Sequence, residues 1–126
     1  MKYDSKEIQQ ALRLYGLTEN EAAVYVALLK KLEATAFEVA KVTEIPRATV
    51  YLTLETLRKQ GFISQFRKNN VAYFTPESPN QLLHILKRKE EVVNEIMPQI
   101  RALAGRQVDT PVAKLYVGLD GIKNGF

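Results

Sequence analysis

The side chains most able to do chemistry in this chain are basic residues clustered in one central segment. From position 41 to position 68 there are six Lys or Arg residues against two Glu, while the whole 126-residue chain has a net charge of only +4. A concentrated positive surface of this kind is typical of proteins that bind the phosphates of nucleic acid. The alternative is an ordinary solvated basic face. The six residues are Lys41, Arg47, Arg58, Lys59, Arg67 and Lys68.

Catalysis and metal binding have few candidates in this sequence. The chain has one histidine, His84, and no cysteine. No nucleophile, base and orienting group can be assembled around that histidine, and a thiolate metal site is excluded. An apolar run of about 18 residues, as a membrane span requires, is absent from the sequence. We therefore expect a cytoplasmic protein that is not an enzyme and that uses neither a metal nor another cofactor.

Two helices joined by a tight turn are predicted to carry the first of the basic residues. Thr35 and Glu38 have the spacing of a capping box, which begins a short helix with Phe37 in its apolar content. Pro46 suits the first turn of a second helix, and Gly61 suits the left-handed residue past its end. Only about three residues separate the two helices. A turn of this length makes the helices cross steeply, and the second helix can then enter a DNA major groove.

A basic β-hairpin is predicted to follow the second helix. Its strands are expected over residues 62–66 and 71–75, which are rich in aromatic and β-branched residues. Asn69 and Asn70 tolerate positive φ and suit the turn between the strands. Helices are expected over residues 4–15, 18–31, 36–43, 46–60 and 80–104. The fold class is therefore mainly α with a small β-hairpin, a winged helix-turn-helix followed by a long dimerising helix.

The long helix carries a heptad pattern of apolar residues. They recur at alternating steps of four and three, with Lys89 as the polar exception. We expect a second copy of the chain to cover this seam; packing back on its own domain is the alternative. Pro98 is expected to kink or break the helix near Met97. The predicted dimerisation residues are Leu82, Leu86, Val93, Ile96, Ile100 and Leu103.

Three segments are expected along the chain. Residues 1–78 form the winged helix-turn-helix domain and residues 79–105 form the coiled-coil dimerisation helix. Residues 106–126 contain a strand pattern and a Gly-rich turn. Because a lone strand is unstable in water, it either pairs with a copy of itself or begins a further domain.

Two runs of residues resemble the TrmB-type family of prokaryotic transcription regulators. The run Tyr15–Ala22, YGLTENEA, resembles the family's opening motif, with Tyr15 where Leu is usual, and Ile45–Tyr51, IPRATVY, resembles its recognition helix. The residues after position 114, LYVGLDGIK, resemble the start of its effector domain. The resemblance implies regulation of transcription by a dimer and, in many members, control by sugars. The sequence ends three residues after Lys123, so we expect a truncated effector domain. The effector is unknown, and we expect this chain not to bind it.

These patterns predict a homodimer that binds double-stranded DNA at a palindromic operator. Val50, Leu54 and Leu57 recur at spacings of four and three residues and predict a buried stripe on the second helix. Residues off this stripe are expected to reach base edges, and hydroxyl, amide and basic side chains nearby are expected to contact the DNA backbone. The base-reading residues are Arg47, Ala48, Thr49, Leu52 and Thr53. The backbone-contacting residues are Thr35, Tyr51, Lys59, Arg67, Lys68, Asn69 and Asn70.

Several roles stay open at this point. Arg47 suits either guanine or a phosphate, and Leu52 suits either a thymine methyl group or an ordinary surface position. Tyr51 suits either a contact with the DNA backbone or a partly buried position in which its ring closes the contact between the two helices. A winged helix can also dock on other proteins, so a protein-interaction module without specific DNA binding is the competing function.

Overall fold

The computed structural model describes residues 4–108, and the side chains of residues 4–105. It confirms the predicted fold class of helices, one antiparallel hairpin and a long final helix. Two units are distinguished, one ending at Ile85 and the other beginning at Leu86. The elements are α1 (Ser5–Tyr15), α2 (Glu19–Lys31), α3 (Ala36–Thr43), α4 (Arg47–Gln60), β1 (Ile63–Lys68), β2 (Val71–Pro76) and α5 (Asn80–Val108). None of the helices in this part of the chain is long and apolar enough to cross a membrane.

A stripe of apolar residues fixes α4 against the core of the first unit. Val50, Leu54 and Leu57 have no exposed surface, and α4 packs against α2, α3 and β1. This confirms the buried stripe predicted from their spacing of four and three residues. The opposite face of α4 is consequently turned away from the core.

The turn from α3 to α4 is fixed by local hydrogen bonds at both ends of α3. The Thr35 hydroxyl accepts a bond from the Glu38 N–H at 3.1 Å, and the Glu38 carboxylate accepts one from the Thr35 N–H at 2.9 Å. Glu44 ends the helix with a left-handed backbone, φ 62°. The predicted capping box is therefore confirmed, and three residues separate α3 from α4.

The β-hairpin turns at two asparagines with positive φ. Asn69 and Asn70 have φ of 54° and 63°, which is the backbone of a two-residue type I′ turn and confirms the sequence prediction. β1 continues to Lys68, beyond the predicted end at residue 66. β2 also exchanges two backbone hydrogen bonds with Ala34, of 3.0 and 2.8 Å through Phe74, so the hairpin is tied to the loop before α3.

The first turns of α5 belong to the core of the first unit. Ile85 is buried and Leu82 packs partly buried against the same core. The Tyr15 hydroxyl donates a hydrogen bond to the Leu82 carbonyl at 2.6 Å, and the Gln81 amide donates one to the Gly61 carbonyl at 3.3 Å. Leu82, predicted as the first residue of the dimerisation seam, is therefore already half-buried against the core of its own unit.

The rest of the heptad seam lies on the exposed surface of α5. The helix continues through Pro98 to Val108, so of the kink or break expected near Met97 the break does not occur. The predicted strand at residues 112–117 lies outside the described residues. The exposed seam residues are Leu86, Val93, Ile96, Ile100 and Leu103.

Two residues past helix ends allow a paired test of backbone strain. Gly61→Ala is expected to lower the free energy of unfolding by about 1–2 kcal/mol, because a Cβ disfavours the left-handed backbone at φ 94°. The nearest atom to an added Cβ is the Gln81 Nε2 at 3.5 Å, so no clash contributes. Leu32, exposed and at φ 71°, is the reverse case. Leu32→Gly is expected to raise the free energy of unfolding by up to about 1 kcal/mol. Urea denaturation measures the free energy of unfolding of both variants, and changes of the same sign would contradict this account.

Candidate nucleic-acid interface

The outward face of α4 presents most of the predicted base-reading residues. Arg47 and Ala48 are exposed, and Leu52 is 72% exposed on the side opposite the buried stripe. Thr49 is half-buried. α4 thus offers an exposed guanidinium at its first residue and, on its outward face, the Leu52 side chain one turn beyond Ala48. These are groups that can pair with guanine and touch a thymine methyl group.

Thr53 does not belong to this face. Its side chain is buried, with 8% exposure, and its hydroxyl donates a hydrogen bond to the Thr49 carbonyl at 2.8 Å. The expectation that Thr53 lies off the buried stripe is therefore wrong. It follows Val50 by three residues, which places it on the same side of the helix. Its polar group is satisfied by its own helix.

The N-terminus of α4 differs from those of the three helices before it. Side chains of Asp4, Thr18 and Thr35 cap α1, α2 and α3. Pro46 occupies the N-cap of α4, no described side chain caps the helix, and its first turn has no acidic residue. The first N–H groups of a helix have no partner within it, and their partial positive charge favours anions. This end of α4 is thus electrostatically suited to a phosphate or a base-edge acceptor.

Arg47 lies close to two aromatic rings beside this helix end. Its Cζ atom is 5.4 Å from the centre of the Phe37 ring and 5.9 Å from that of Tyr51. Both rings are about half exposed, at 55% and 49%. Together with Thr35 and residues of β2 they line a cleft of about 180 Å³ between α3, α4 and the hairpin. Sequence reasoning missed Phe37, which was expected only to add apolar content to α3.

The basic residues of the hairpin have local partners. Arg67 donates a hydrogen bond to the Asn70 carbonyl at 2.8 Å. The Lys68 ammonium lies 3.4 Å from the Glu33 carboxylate and 4.9 Å from the centre of the Tyr73 ring. Both basic side chains are exposed, so their cationic ends stay accessible to a phosphate. The negative charge of Glu33, which sequence reasoning did not single out, competes with that contact.

The C-terminal end of α4 carries a neutralised pair and a second exposed cation. Arg58 donates hydrogen bonds to the Glu55 carboxylate through both Nε and Nη2, and this bonding lowers the pKa of that carboxyl below its ordinary value. Lys59 is exposed. The positive potential at this end of α4 therefore comes mainly from Lys59, in keeping with its predicted backbone contact.

No group of three or more His, Cys, Asp or Glu side chains is placed to hold a metal ion among the residues that the structure describes. His84 is exposed on α5, and its Nδ1 atom lies 3.1 Å from the Gln81 side-chain oxygen.

Comparison with known proteins matches residues 12–80 to the family of the sugar-specific transcriptional regulator TrmB. The HTH-type sugar sensing transcriptional regulator TrmBL1 of Pyrococcus furiosus is 32% identical over 91 residues, which are 72% of this chain and 26% of that protein. This chain thus spans about a quarter of the length of that relative.

Solved structures share the fold. That of TrmBL2, an archaeal chromatin protein with a novel mode of DNA binding, has a TM-score of 0.70 at 24% identity over 83% of this chain and 41% of that chain. MepR, a transcription regulator of a Staphylococcus aureus multidrug efflux pump, has a TM-score of 0.51 at 14% identity, covering 84% of this chain and 88% of its own.

The burial of Thr53 can be tested against a matched threonine. Thr53→Val is expected to change the free energy of unfolding by less than about 1 kcal/mol, because the lost hydroxyl donates to a carbonyl that the helix backbone also satisfies. Thr56→Val is the control, since the Thr56 hydroxyl donates to the Leu52 carbonyl in the same way, at 3.0 Å. Neither change should alter the DNA sequences selected by the protein. A new base preference in Thr53→Val would return this residue to the interface.

Proposed function

The chain belongs to the TrmB family of transcription regulators, and on that premise we propose that it binds double-stranded DNA in the cytoplasm as a homodimer. One observation carries the proposal. A helix held by a fully buried stripe presents Arg47, Ala48 and Leu52 outward, beside an N-terminus that no described side chain caps. A recognition helix reads base edges in the major groove through residues near its N-terminus.

Base reading is assigned to the outward residues of α4. Arg47 is the candidate for a bidentate contact with guanine, and Leu52 is the candidate for contact with a thymine methyl group. Ala48 allows close approach to the groove, while half-buried Thr49 lies at its edge. Thr53 is left out of this set because its hydroxyl is bonded within the helix.

DNA backbone contacts are assigned to side chains around α4. Lys59, Arg67 and Lys68 are exposed cations, and the hydroxyl groups of Thr35 and Tyr51 line the cleft beside Arg47. The hairpin turn contributes Asn69 and Asn70, which are also exposed. Contacts of this kind fix the position of the protein on the duplex and carry no sequence information by themselves.

Dimerisation is assigned to the exposed seam of α5 from Leu86 onward. Five aliphatic side chains spaced by heptads are exposed there, and a second copy of the same helix would bury them in a coiled coil. A two-fold axis would place two α4 helices on half-sites about one helical turn, roughly 34 Å, or a multiple apart. The operator is therefore proposed to be palindromic.

Selection of bound sites from a random pool of duplex DNA tests the function directly. The proposal expects enrichment of a palindrome whose half-sites are separated by one or more helical turns. Enrichment of a single half-site would support base reading and contradict the dimer. No enrichment and no binding at low salt would contradict the proposed function and favour a protein-interaction module.

The hairpin's part in phosphate binding can be measured through salt dependence. The double change Arg67→Ala and Lys68→Ala is expected to weaken binding to all DNA sequences. It should also flatten the plot of log affinity against log salt by about 0.9 for each lost phosphate contact. Glu33→Gln should have the opposite effect on affinity, because it removes the carboxylate that competes for Lys68. Lys30→Ala, outside the predicted contacts, is the control. An unchanged slope in the double variant would exclude the hairpin from the interface.

The dimer can be tested by placing a charge in the seam. Ile96→Asp is expected to weaken the dimer at least about 100-fold, since the burial of two isoleucines contributes roughly 3–6 kcal/mol to the pair. Asn94→Asp adds the same charge at an exposed position outside the seam and should leave the dimer intact. Sedimentation equilibrium measures both. Equal dissociation constants in the two variants would contradict the seam.

A further inference from the structure

We propose that Phe37 and Tyr51 form an aromatic clamp that holds the Arg47 guanidinium ready for a base contact. In this account Phe37 is a positioning residue that sets the sequence specificity of α4 without touching a base itself. The inference rests on the proposed function, because specificity has meaning only if α4 reads DNA. The existence of the clamp, however, is a property of the free protein and can be tested without DNA.

The geometry brings the clamp together from two helices. The Arg47 Cζ atom lies 5.4 and 5.9 Å from the two ring centres, within the range of about 6 Å at which a guanidinium is attracted to an aromatic face. Tyr51 follows Arg47 by one turn of α4, where side chains are neighbours. Phe37 belongs to α3 and is placed there by the tight turn between the helices. The clamp therefore depends on the helix-turn-helix geometry as well as on α4.

The clamp holds Arg47 without occupying its hydrogen-bond donors. Of the other basic residues described above for α4 and the hairpin, Arg58 and Lys68 are each paired with a carboxylate, whereas Lys59 and Arg67 are not. Within the described part of the chain, Arg47 is likewise in no ion pair, and its charge lies beside the two rings. A guanidinium carries five N–H donors, and no hydrogen bond among the described residues uses one from the Arg47 side chain, so these donors stay available. A bidentate contact with guanine requires two of them.

The exposure of Phe37 supports a role of this kind. Its ring is 55% exposed, whereas Ala36 and Val39 on the same helix are buried. Phe37 thus contributes little to the core, while its ring centre lies 5.4 Å from the Arg47 Cζ atom. Immobilising a long side chain before binding removes part of the entropy lost on binding. We expect the clamp to raise the affinity for a specific site over non-specific DNA by about 3- to 10-fold.

The first experiment uses the free protein. Phe37→Ala and Phe37→Leu are compared with wild type by NMR of the Arg47 side chain, whose Nε–H signal is assigned by its loss in Arg47→Lys. Val42→Ala is the matched control: Val42 lies on the same helix, is also 55% exposed and does not line the cleft beside Arg47. The proposal expects ring-current shifts and restricted motion that weaken in both Phe37 variants and persist in the control. Unchanged Arg47 signals in Phe37→Ala would overturn the clamp.

The second experiment measures binding to the selected operator and to a scrambled duplex over a series of salt concentrations. Phe37→Ala should lower the ratio of specific to non-specific affinity by about 3- to 10-fold. The salt slope should stay unchanged, because no charge has been removed. In an Arg47→Ala background the same change should have no further effect. If Phe37→Ala and Val42→Ala have equal thermal unfolding midpoints, the lower affinity ratio of Phe37→Ala does not come from a loss of stability.

The two experiments distinguish the failure of the clamp from that of the proposed function. If the Arg47 signals change in Phe37→Ala while the affinity ratio does not, the clamp exists but its role in specificity is overturned. If wild type binds both duplexes equally, base reading by α4 fails, and the role in specificity fails with it. If Phe37→Ala also lowers the ratio of specific to non-specific affinity in the Arg47→Ala background, the positioning role is overturned, because Phe37 then acts independently of Arg47.

Discussion

The burial of the α4 stripe is the constraint on which the rest of the described structure depends. Val50, Leu54 and Leu57 are fully buried against α2, α3 and β1. At about 1.5–3 kcal/mol for each side chain, their removal from water is large beside the net stability of a small domain. A helix fixed on one side has its rotation fixed, so the same burial determines that Ala48 and Leu52 face outward. The packing of the core therefore determines which residues of α4 form the candidate interface.

The same helix is coupled at its other end to the start of α5. The Gln81 amide bonds to the carbonyl of Gly61, which ends α4, and buried Ile85 joins the core that α4 helps to form. The Tyr15 hydroxyl holds the Leu82 carbonyl in addition. Tyr15 stands where the family usually has Leu, so this chain has a hydrogen bond at a position where Leu would supply only packing. The first turns of α5 are thus part of the same unit as α4.

Local interactions made most of the fold predictable from sequence, and tertiary packing limited what could be said of the site. A capping box needs only two side chains three residues apart, and an Asn-Asn turn needs only its own backbone preference, so Thr35, Glu38 and the hairpin turn were predicted correctly. Thr53 was misassigned because its polar character outweighed its angular position beside Val50. Phe37 counted as apolar content of α3 but is exposed, and Leu82 counted as part of the seam but packs against its own unit. What lies against these two side chains depends on elements distant in the sequence, which a local pattern does not report.

At Arg47, the stability of the helix and the proposed binding of DNA favour opposite charges. A cation in the first turn opposes the helix dipole, and a residue of opposite charge there would stabilise the helix by a few tenths of a kcal/mol to about 1 kcal/mol. The three preceding helices begin with a side-chain cap and an acidic residue in the first turn, so the chain elsewhere follows the rule that α4 breaks. Such a local conflict is expected at functional sites. If α4 binds a nucleic acid as proposed, the phosphates would supply a negative charge that makes both the Arg47 cation and the uncapped N–H groups favourable. The rings of Phe37 and Tyr51 lie beside the guanidinium without neutralising its charge.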